Sequence, residues 1–319
     1  MGNLIQDIEV TGSAVAQVDM TGLNIVAGEL YEVVITYKNA GVGEYIKMGV
    51  NNDITVTDYY HQELRVYGTT VAGSRGNNTY LTYTPANTTA KVQLYLKLTE
   101  DGHMVFISKA IRDMVGSGIF MYDGVATSTF TMASITSLNF FTPGGNRLGV
   151  GTRIQLYKVA EKVDEVIVAG SAVTQVDFTG LDIGKGNEYM LVSDWYNPTG
   201  STANCTLYIN DDTTLTNYWQ QQLLANGTSV ASGRANASYY SFVGAGTRTL
   251  TISKIKLANS GYFNAQSTSA FKYGGSSIYI DKNYHSKTAT VTSITKLNIT
   301  STIASQIGIN SQFELYKLI

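Results

Sequence analysis

Two equivalent segments of the chain combine aromatic rings with side-chain amides, a pattern typical of surfaces that bind sugars. Residues 57–64 read T-D-Y-Y-H-Q-E-L, and residues 216–223 read T-N-Y-W-Q-Q-Q-L. A flat ring can stack on a pyranose while neighbouring amides hydrogen-bond to its hydroxyls. An arginine follows each segment at the same place. The pattern therefore predicts ligand or interface contacts at nine positions: Tyr59, Tyr60, Gln62, Arg75, Trp195, Tyr218, Trp219, Gln221 and Arg234.

The same residues also have a purely structural interpretation. Large aromatic side chains commonly fill a core, and Arg75 and Arg234 could brace the fold by bonding to loop carbonyls. Trp195 and Trp219 occur only in the second segment's half of the chain, where the first half has tyrosines. Both interpretations stay open at the level of sequence.

Catalytic motifs are absent from the sequence. The three histidines, His61, His103 and His285, do not occupy equivalent places in the two halves, and no G-x-S-x-G, H-E-x-x-H or C-x-x-C occurs. Nothing in the spacing favours a nucleophile with its base or a pair of catalytic carboxylates. We therefore expect a protein that is not an enzyme and that carries no cofactor.

Two oxygen-rich segments could suggest calcium. Residues 51–53 read N-N-D and residues 210–212 read N-D-D, but neither has the D-x-D-x-D-G spacing or the later bidentate glutamate. Asn and Asp bond readily to their own backbone in turns. We therefore predict turns here and no metal site.

A tandem duplication organises the whole chain. Residues 10–25 read V-T-G-S-A-V-A-Q-V-D-M-T-G-L-N-I, and residues 168–183 match them at 12 of 16 positions. The offset between the copies is 158 residues at first and 159 from Asp53 and Asp212 onward. One net insertion in so long a stretch indicates that both copies have the same strand order.

Strand signals dominate both copies. Residues 91–98 alternate apolar and polar side chains, and glycines separate short β-branched and aromatic runs. These features predict an all-β chain of two tandem homologous antiparallel β-sandwiches of jelly-roll type, although an immunoglobulin-like sandwich has similar signals. In residues 249–257 the apolar positions fall out of phase, which predicts a β-bulge near Ser253 and Lys254.

The repeat boundaries divide the chain into four parts. We expect an N-terminal arm at residues 1–7, a first domain at 8–159, a linker at 160–165 and a second domain at 166–319. The linker is short and charged, which argues against free movement of the two domains.

The composition narrows the range of partners. Charged residues make up 14% of the chain and the net charge is −2, so a phosphate-neutralising patch for nucleic acid is not expected. No apolar run is long enough to cross a bilayer as a helix. The single cysteine, Cys205, excludes an intrachain disulfide and is expected to be a small buried strand residue.

Three repeated stretches resemble jelly-roll domains of the structural proteins of tailed bacteriophages. They are T-G-L-[ND]-I at 21–25 and 179–183, N-[ND]-D-x-T-x-T-[DN]-Y at 51–59 and 210–218, and [IF]-x-L-Y-K at 154–158 and 313–317. The resemblance implies a virion-surface module used in head decoration, head fibres or tail attachment. It implies no catalytic or ligand-binding residues.

Two functions follow from these observations. The first is a non-enzymatic virion component, a capsid decoration, cementing or head-fibre protein that binds other virion proteins and forms homo-oligomers. The alternative is a module of a phage tail or of a secreted protein that binds a glycan or host receptor through loop aromatics of the second copy. Neither function involves nucleic acid or a membrane, and the virion is the expected location.

Overall fold

The computed structural model describes residues 2–67, 70–114, 118–159, 162–273 and 277–318. Strands make up 66% of the structure, and the only helices among the described residues are two 3-10 turns, Val56–Asp58 and Leu215–Asn217. They form two compact units, which correspond to residues 2–159 and, apart from the turn at 226–229, to residues 160–319. The predicted class of two tandem β-sandwich domains is confirmed.

Each unit contributes twelve antiparallel strands. In the first unit they are β1 (Asn3–Glu9), β2 (Gln17–Ile25), β3 (Leu30–Lys38), β4 (Glu44–Val50), β5 (Tyr59–Tyr67), β6 (Thr70–Gly76), β7 (Tyr80–Thr84), β8 (Thr89–Leu98), β9 (Met104–Met114), β10 (Gly118–Ser128), β11 (Ile135–Phe141) and β12 (Arg153–Lys158). In the second unit they are β13 (Lys162–Ile167), β14 (Gln175–Gly184), β15 (Glu188–Tyr196), β16 (Ala203–Ile209), β17 (Tyr218–Asn226), β18 (Ser229–Ala235), β19 (Tyr239–Val243), β20 (Arg248–Leu257), β21 (Phe263–Tyr273), β22 (Ser277–Lys287), β23 (Ser293–Ser301) and β24 (Gln312–Leu318).

The strand order in each unit is that of an extended jelly roll. A four-stranded sheet has the order β2-β11-β4-β7, and an eight-stranded sheet has the order β1-β12-β3-β8-β9-β10-β5-β6. The eight strands β2 to β8 and β11 give the paired Greek keys of a jelly roll. The β9–β10 hairpin is inserted between β8 and β5, and β1 and β12 extend the other end of the sheet. The second unit repeats this order strand for strand.

Alternation along the strands creates the two cores. In β8 the side chains of Ala90, Val92 and Leu94 are buried, and the residues between them are partly or fully exposed. The two sheets of each unit enclose one such apolar cluster. Cys205 lies fully buried on β16, as expected of a small apolar strand residue, and burial raises the pKa of its thiol.

The predicted arm and linker are wrong. Asn3–Glu9 is the edge strand β1, paired with β12, and Lys162–Ile167 is the equivalent edge strand β13, paired with β24. The alternation of apolar and polar residues in these segments is too weak to predict a strand. They form strands because the neighbouring strand has a free edge that supplies the hydrogen bonds. Met1, Ala160 and Glu161 belong to the predicted segments but lie outside the described residues.

Both edge strands carry an irregularity. The register shifts between Leu4 and Gln6 in β1 and between Lys162 and Asp164 in β13. Bulges and charged side chains on an edge strand hinder the addition of another strand to the sheet.

The predicted bulge in β20 is also wrong. The pairing of β20 with β15 and with β21 runs without a register shift. Thr251 and Ser253 face inward and hydrogen-bond to Ser269 and Ser267 at 2.9 and 2.7 Å between hydroxyl oxygens. The interior of the second unit therefore contains a hydrogen-bonded polar layer, so an apolar pattern cannot give the register here.

A hydrogen-bonded side-chain cluster recurs in both units. Asn139 Nδ2 donates to Asp19 Oδ1 at 2.7 Å, and Asn298 Nδ2 donates to Asp177 Oδ1 at 2.9 Å. The repeated aspartates therefore hold β2 to β11 and β14 to β23.

Candidate ligand-binding face

The register of β17 separates the two neighbouring aromatic residues of the second segment. Tyr218 is fully buried in the core, whereas Trp219 points to the other side of the sheet and is 45% exposed. Successive strand residues face opposite sides of a sheet. Of this pair only Trp219 can meet a ligand, so the predicted contact at Tyr218 is wrong.

Tyr218 and Tyr59 hold a turn. Tyr218 Oη donates to the Asp212 carbonyl at 3.0 Å and accepts from the Ile209 amide at 3.2 Å. Tyr59, also buried, makes the same two contacts with Asp53 and Val50 at 2.9 and 3.2 Å. The predicted ligand contact at Tyr59 is therefore wrong as well, because its hydroxyl and its ring are both engaged inside the fold.

The turns themselves contain the oxygen-rich segments that could have suggested calcium. Asn51 and Asn52 have φ values of 53° and 63°, and Asn210 and Asp211 have φ values of 53° and 60°. Such left-handed conformations favour Asn and Asp in hairpin turns. Asp53 Oδ1 then accepts from the Thr55 amide at 2.9 Å. The turn interpretation is confirmed.

Trp195 is part of the core of the second unit. Its side chain is fully buried, and its Nε1 donates to Ser241 Oγ at 3.2 Å. The prediction that Trp195 contacts a ligand is wrong. Aromatic character alone could not distinguish Trp195 from Trp219, since the direction of each ring depends on strand register.

The outward side of the second unit's eight-stranded sheet carries polar side chains in two cross-strand rows. One row, from β15 across β20, β21 and β22 to β17, contains Glu188, Lys256, Asn264, Ser286 and Trp219. The next row contains Lys254, Gln266, Tyr284 and Gln221. We call these nine residues together with Arg234 of β18 the Trp219 face.

The Trp219 face forms an open depression with a volume of about 640 Å³. Arg234 lies over the indole with its guanidinium carbon 5.0 Å from the ring centroid. This cation–π contact fixes the orientation of the ring and covers part of it, and nearly half of the side chain remains exposed. The structure therefore brings together Trp219, Gln221 and Arg234 of the predicted contacts.

Tyr284 supplies a second exposed ring, which was not among the ligand contacts predicted from the sequence. Its side chain is 46% exposed, and its hydroxyl accepts from Gln266 Nε2 at 3.0 Å. Tyr284 lies diagonally across the strand pair from Trp219, because Ser286 is the residue directly opposite Trp219. Such diagonal neighbours are about 7–8 Å apart. Only the pairing of β22 with β17 reveals this proximity.

The charges on the Trp219 face are mostly positive. Arg234, Lys254 and Lys256 line the depression together with one carboxylate, that of Glu188. Glu188 Oε2 lies 3.9 Å from Lys256 Nζ, so this acid is already paired. The face therefore has an excess of positive charge on a chain whose net charge is negative.

Three polar or aromatic positions at the centre of the Trp219 face are aliphatic in the first unit. Val105, Ile107 and Val125 stand where the Trp219 face has Asn264, Gln266 and Tyr284. The register confirms the equivalence, since Thr127 pairs with both Tyr60 and Val105, as Ser286 pairs with both Trp219 and Asn264.

The three remaining predicted contacts lie in the first unit and do not form a comparable face. Tyr60 is partly buried, and Arg75 is exposed on β6. Gln62 is fully buried, and its Nε2 donates to the carbonyls of Glu63 and Ser74 at 2.9 and 3.0 Å. The Gln62 amide therefore joins β5 to β6, whereas Gln221 is exposed.

Two titratable groups lie on the inward side of the same sheet. Burial lowers the pKa of His285 to about 3, and neither ring nitrogen of this histidine has a hydrogen-bond partner. Burial raises the pKa of Asp281 to about 6, against the opposing effect of hydrogen bonds from Gln222 and Asn283 at 2.8 and 2.9 Å. Asp281 is thus held in an amide network and does not contact His285 through any hydrogen bond described.

The described residues contain no group of three or more His, Cys, Asp or Glu side chains placed to hold a metal ion. Within the same part of the chain, no helix has the length and apolar character needed to span a membrane.

Comparisons with known proteins give no family for this chain. No family model matches it, and no curated protein matches it. Among solved structures, domains LG4-5 of the mouse laminin alpha1 chain are similar at 9% identity and a TM-score of 0.17, covering 98% of this chain and 92% of that one. The tesB protein of Mycobacterium avium subs paratuberculosis has 9% identity and a TM-score of 0.16, with 72% and 77% of the two chains covered. Likenesses at such low TM-scores carry no argument about function.

Proposed function

We propose that the chain is a non-enzymatic glycan-binding protein whose ligand binds to the Trp219 face of the second unit. The observation that carries this proposal is a half-exposed indole beside a half-exposed phenol on a rigid sheet, surrounded by amides and hydroxyls. Large rings on a hydrogen-bonded sheet lose little conformational entropy when they contact a ligand. The rings of such a surface can stack on the apolar face of a sugar, and its amides and hydroxyls can hydrogen-bond to the sugar hydroxyls.

The charge of the face favours an acidic glycan. Three cationic side chains face one carboxylate, and that carboxylate is paired with Lys256. A uronate, sialate or sulfate group near Arg234 would gain a charge-assisted hydrogen bond. Neutral glycans would lack this contribution and bind more weakly.

The resemblance to virion-surface modules suggests where such binding would act. On the surface of a particle, the Trp219 face would attach the particle to a polysaccharide of the host. An open site of this kind gives modest affinity for each chain, and many copies on one particle would raise the apparent affinity by effective concentration. The structural role expected from the resemblance and glycan binding are compatible in one protein.

A glycan array tests the proposal directly. The full chain is applied beside Trp219→Ala, with Tyr60→Ala as the matched control at the equivalent position of the first unit. We expect binding to acidic glycans that Trp219→Ala lowers at least tenfold and Tyr60→Ala leaves unchanged. Circular dichroism shows whether each variant is folded. Binding that survives in folded Trp219→Ala, or no binding by the full chain, would contradict the proposal.

The charge component has its own test on the same array. Arg234→Gln removes the charge and keeps a hydrogen-bonding amide on a shorter side chain. We expect this variant to lose preference for acidic over neutral glycans, and we expect wild-type binding to weaken in high salt because exposed charges are screened.

A further inference from the structure

A second depression borders Trp219 on the side away from Tyr284. It has a volume of about 530 Å³ and is lined by Trp219, Ser260, Tyr262, Asn264, Ser286, Lys287 and Thr288. Arg234 does not line it, so the part of the indole that borders this depression is not the part covered by the guanidinium. Trp219 is therefore shared by two depressions, each within the range of about 300–1,000 Å³ that is typical of small-molecule sites.

Tyr262 is the exposed ring of the second depression. Its side chain is 43% exposed, yet its backbone is firmly held. The Tyr262 carbonyl accepts from the Ala258 amide at 2.9 Å and from Asn264 Nδ2 at 3.3 Å, and Gly261 bonds to Ala258 at 2.8 Å. The ring is thus presented to solvent from a rigid turn.

The three exposed rings occupy successive levels along the strands. Tyr284 lies in the row of Gln266 and Gln221, Trp219 lies in the row of Asn264, and Tyr262 precedes Asn264 by two residues. Two residues of a strand span about 6.6–6.8 Å. Along the strand direction the rings therefore lie at successive levels, with Tyr284 on β22, Trp219 on the adjacent β17 and Tyr262 just before β21, on the other side of β22.

The polar groups of the second depression suit sugar hydroxyls. Ser260 contributes a hydroxyl. The Ser286 and Thr288 hydroxyls and the Asn264 amide donate to backbone carbonyls, and their oxygens can still accept hydrogen bonds from sugar hydroxyls. The one cation there, Lys287, forms an ion pair with Asp212 and lies 4.9 Å from the Tyr218 ring centroid. This part of the site therefore recognises sugar hydroxyls more than an anionic group.

We propose that the Trp219 face and the second depression form one extended site, which binds an internal stretch of at least three sugars of a linear polysaccharide. Tyr262 is the stacking residue for the sugar beyond Trp219. This inference rests on the proposed glycan-binding function and adds to it the length of the ligand and a further binding residue.

Size-graded oligosaccharides test the inference. From the linear polysaccharide that binds best among galacturonan, hyaluronan, chitin, mannan and glucan, oligomers of one to six sugars are titrated into the full chain by calorimetry. We expect affinity to rise up to at least three sugars and then to level off. Tyr262→Ala should weaken binding of the longer oligomers roughly two- to tenfold and leave one- and two-sugar ligands nearly unchanged.

The control and the contradicting outcomes separate this inference from the proposed function. Tyr67→Ala removes a similarly exposed tyrosine from the first unit and should change nothing. If ligands of one or two sugars already bind with full affinity, or if Tyr262→Ala binds long oligomers as tightly as the wild type, the proposal of an extended site is wrong. Glycan binding at Trp219 then still stands. If none of the five polysaccharides binds, or if Trp219→Ala binds them as tightly as the wild type, both proposals fail.

Discussion

Trp219 and Tyr60 occupy equivalent positions in the two units, yet the surfaces around them differ. Around Trp219 the neighbouring strands present Asn264, Gln266 and Tyr284, whereas around Tyr60 they present two valines and an isoleucine. The second depression differs as well, because His103 stands where the second unit has Tyr262. The His103 ring bonds to the Ser128 carbonyl at 3.0 Å and is partly buried.

The residues that the two units share are those that hold the fold. Tyr59 and Tyr218 close the same turn with the same two hydrogen bonds. Asp19 and Asp177 accept from equivalent asparagines. The two units therefore share these turn and bridging residues, whereas the outward positions around Trp219 differ, and a binding surface can arise at outward positions without cost to packing.

The largest expected difference in stability is between variants of the two tryptophans. Trp195→Ala should lower the free energy of unfolding by about 3–5 kcal/mol, because it leaves a cavity and removes the hydrogen bond from Nε1 to Ser241 Oγ. Trp219→Ala should cost about 0.5 kcal/mol, since its ring is half exposed. Urea unfolding followed by circular dichroism measures both. Similar costs for the two variants would show that Trp219 supports the core and would remove the basis for a free binding face.

The pH dependence of the second unit gives an intermediate effect. The buried Asp281 has a pKa of about 6, above the ordinary value of 3.8, and the first unit has Tyr122 at this position. The folded state binds a proton between these pH values that the unfolded state does not, so this group lowers stability as the pH rises from about 4 to 6. The free energy of unfolding of Asp281→Asn should therefore rise by roughly 2–3 kcal/mol relative to that of the wild type between pH 4 and pH 7.

Unfolding of the Asp281→Asn variant at several pH values checks this prediction. Tryptophan fluorescence is a suitable signal because Trp195 and Trp219 both lie in the second unit. The control is Asp182→Asn, which removes an exposed carboxylate of β14. A difference between Asp281→Asn and wild type that stays constant with pH would show that Asp281 is not held in a desolvated site.

The smallest effect tests the similarity of the two units. Tyr59→Phe and Tyr218→Phe each remove one hydroxyl that donates to a carbonyl and accepts from an amide. Each change should cost about 1–2 kcal/mol, and the two costs should agree. Urea unfolding by circular dichroism again provides the measurement. Costs that differ by more than about 1 kcal/mol would indicate that the shared turns contribute differently to the stability of the two units.

The repeat and the alternation of β8 were sufficient to predict a tandem β-sandwich. The edge strands β1 and β13 were missed because each has two adjacent apolar residues in place of regular alternation, and because their pairing depends on a partner far along the chain. The β20 register was missed because Thr251 and Ser253 are buried through hydrogen bonds, which a pattern of apolar residues does not register.

For the candidate site, the sequence pointed to the correct strand but not to the correct side of it. Adjacent aromatics on β17 looked equivalent, and only the hydrogen-bonded register separates Tyr218 from Trp219. Tyr284 and Tyr262 lie on strands and turns far along the chain, so no local motif could place them near Trp219.

The near-identity of β2 and β14 has a consequence for how the chain reaches its native state. Either strand could supply the aspartate that Asn139 or Asn298 needs, so each could occupy the other's place in a growing sheet. During synthesis β2 has the advantage, because β11 at residues 135–141 is made before β14 at residues 175–184. Order of appearance thus assigns each strand to its own half, and a chain released all at once from denaturant lacks that guidance.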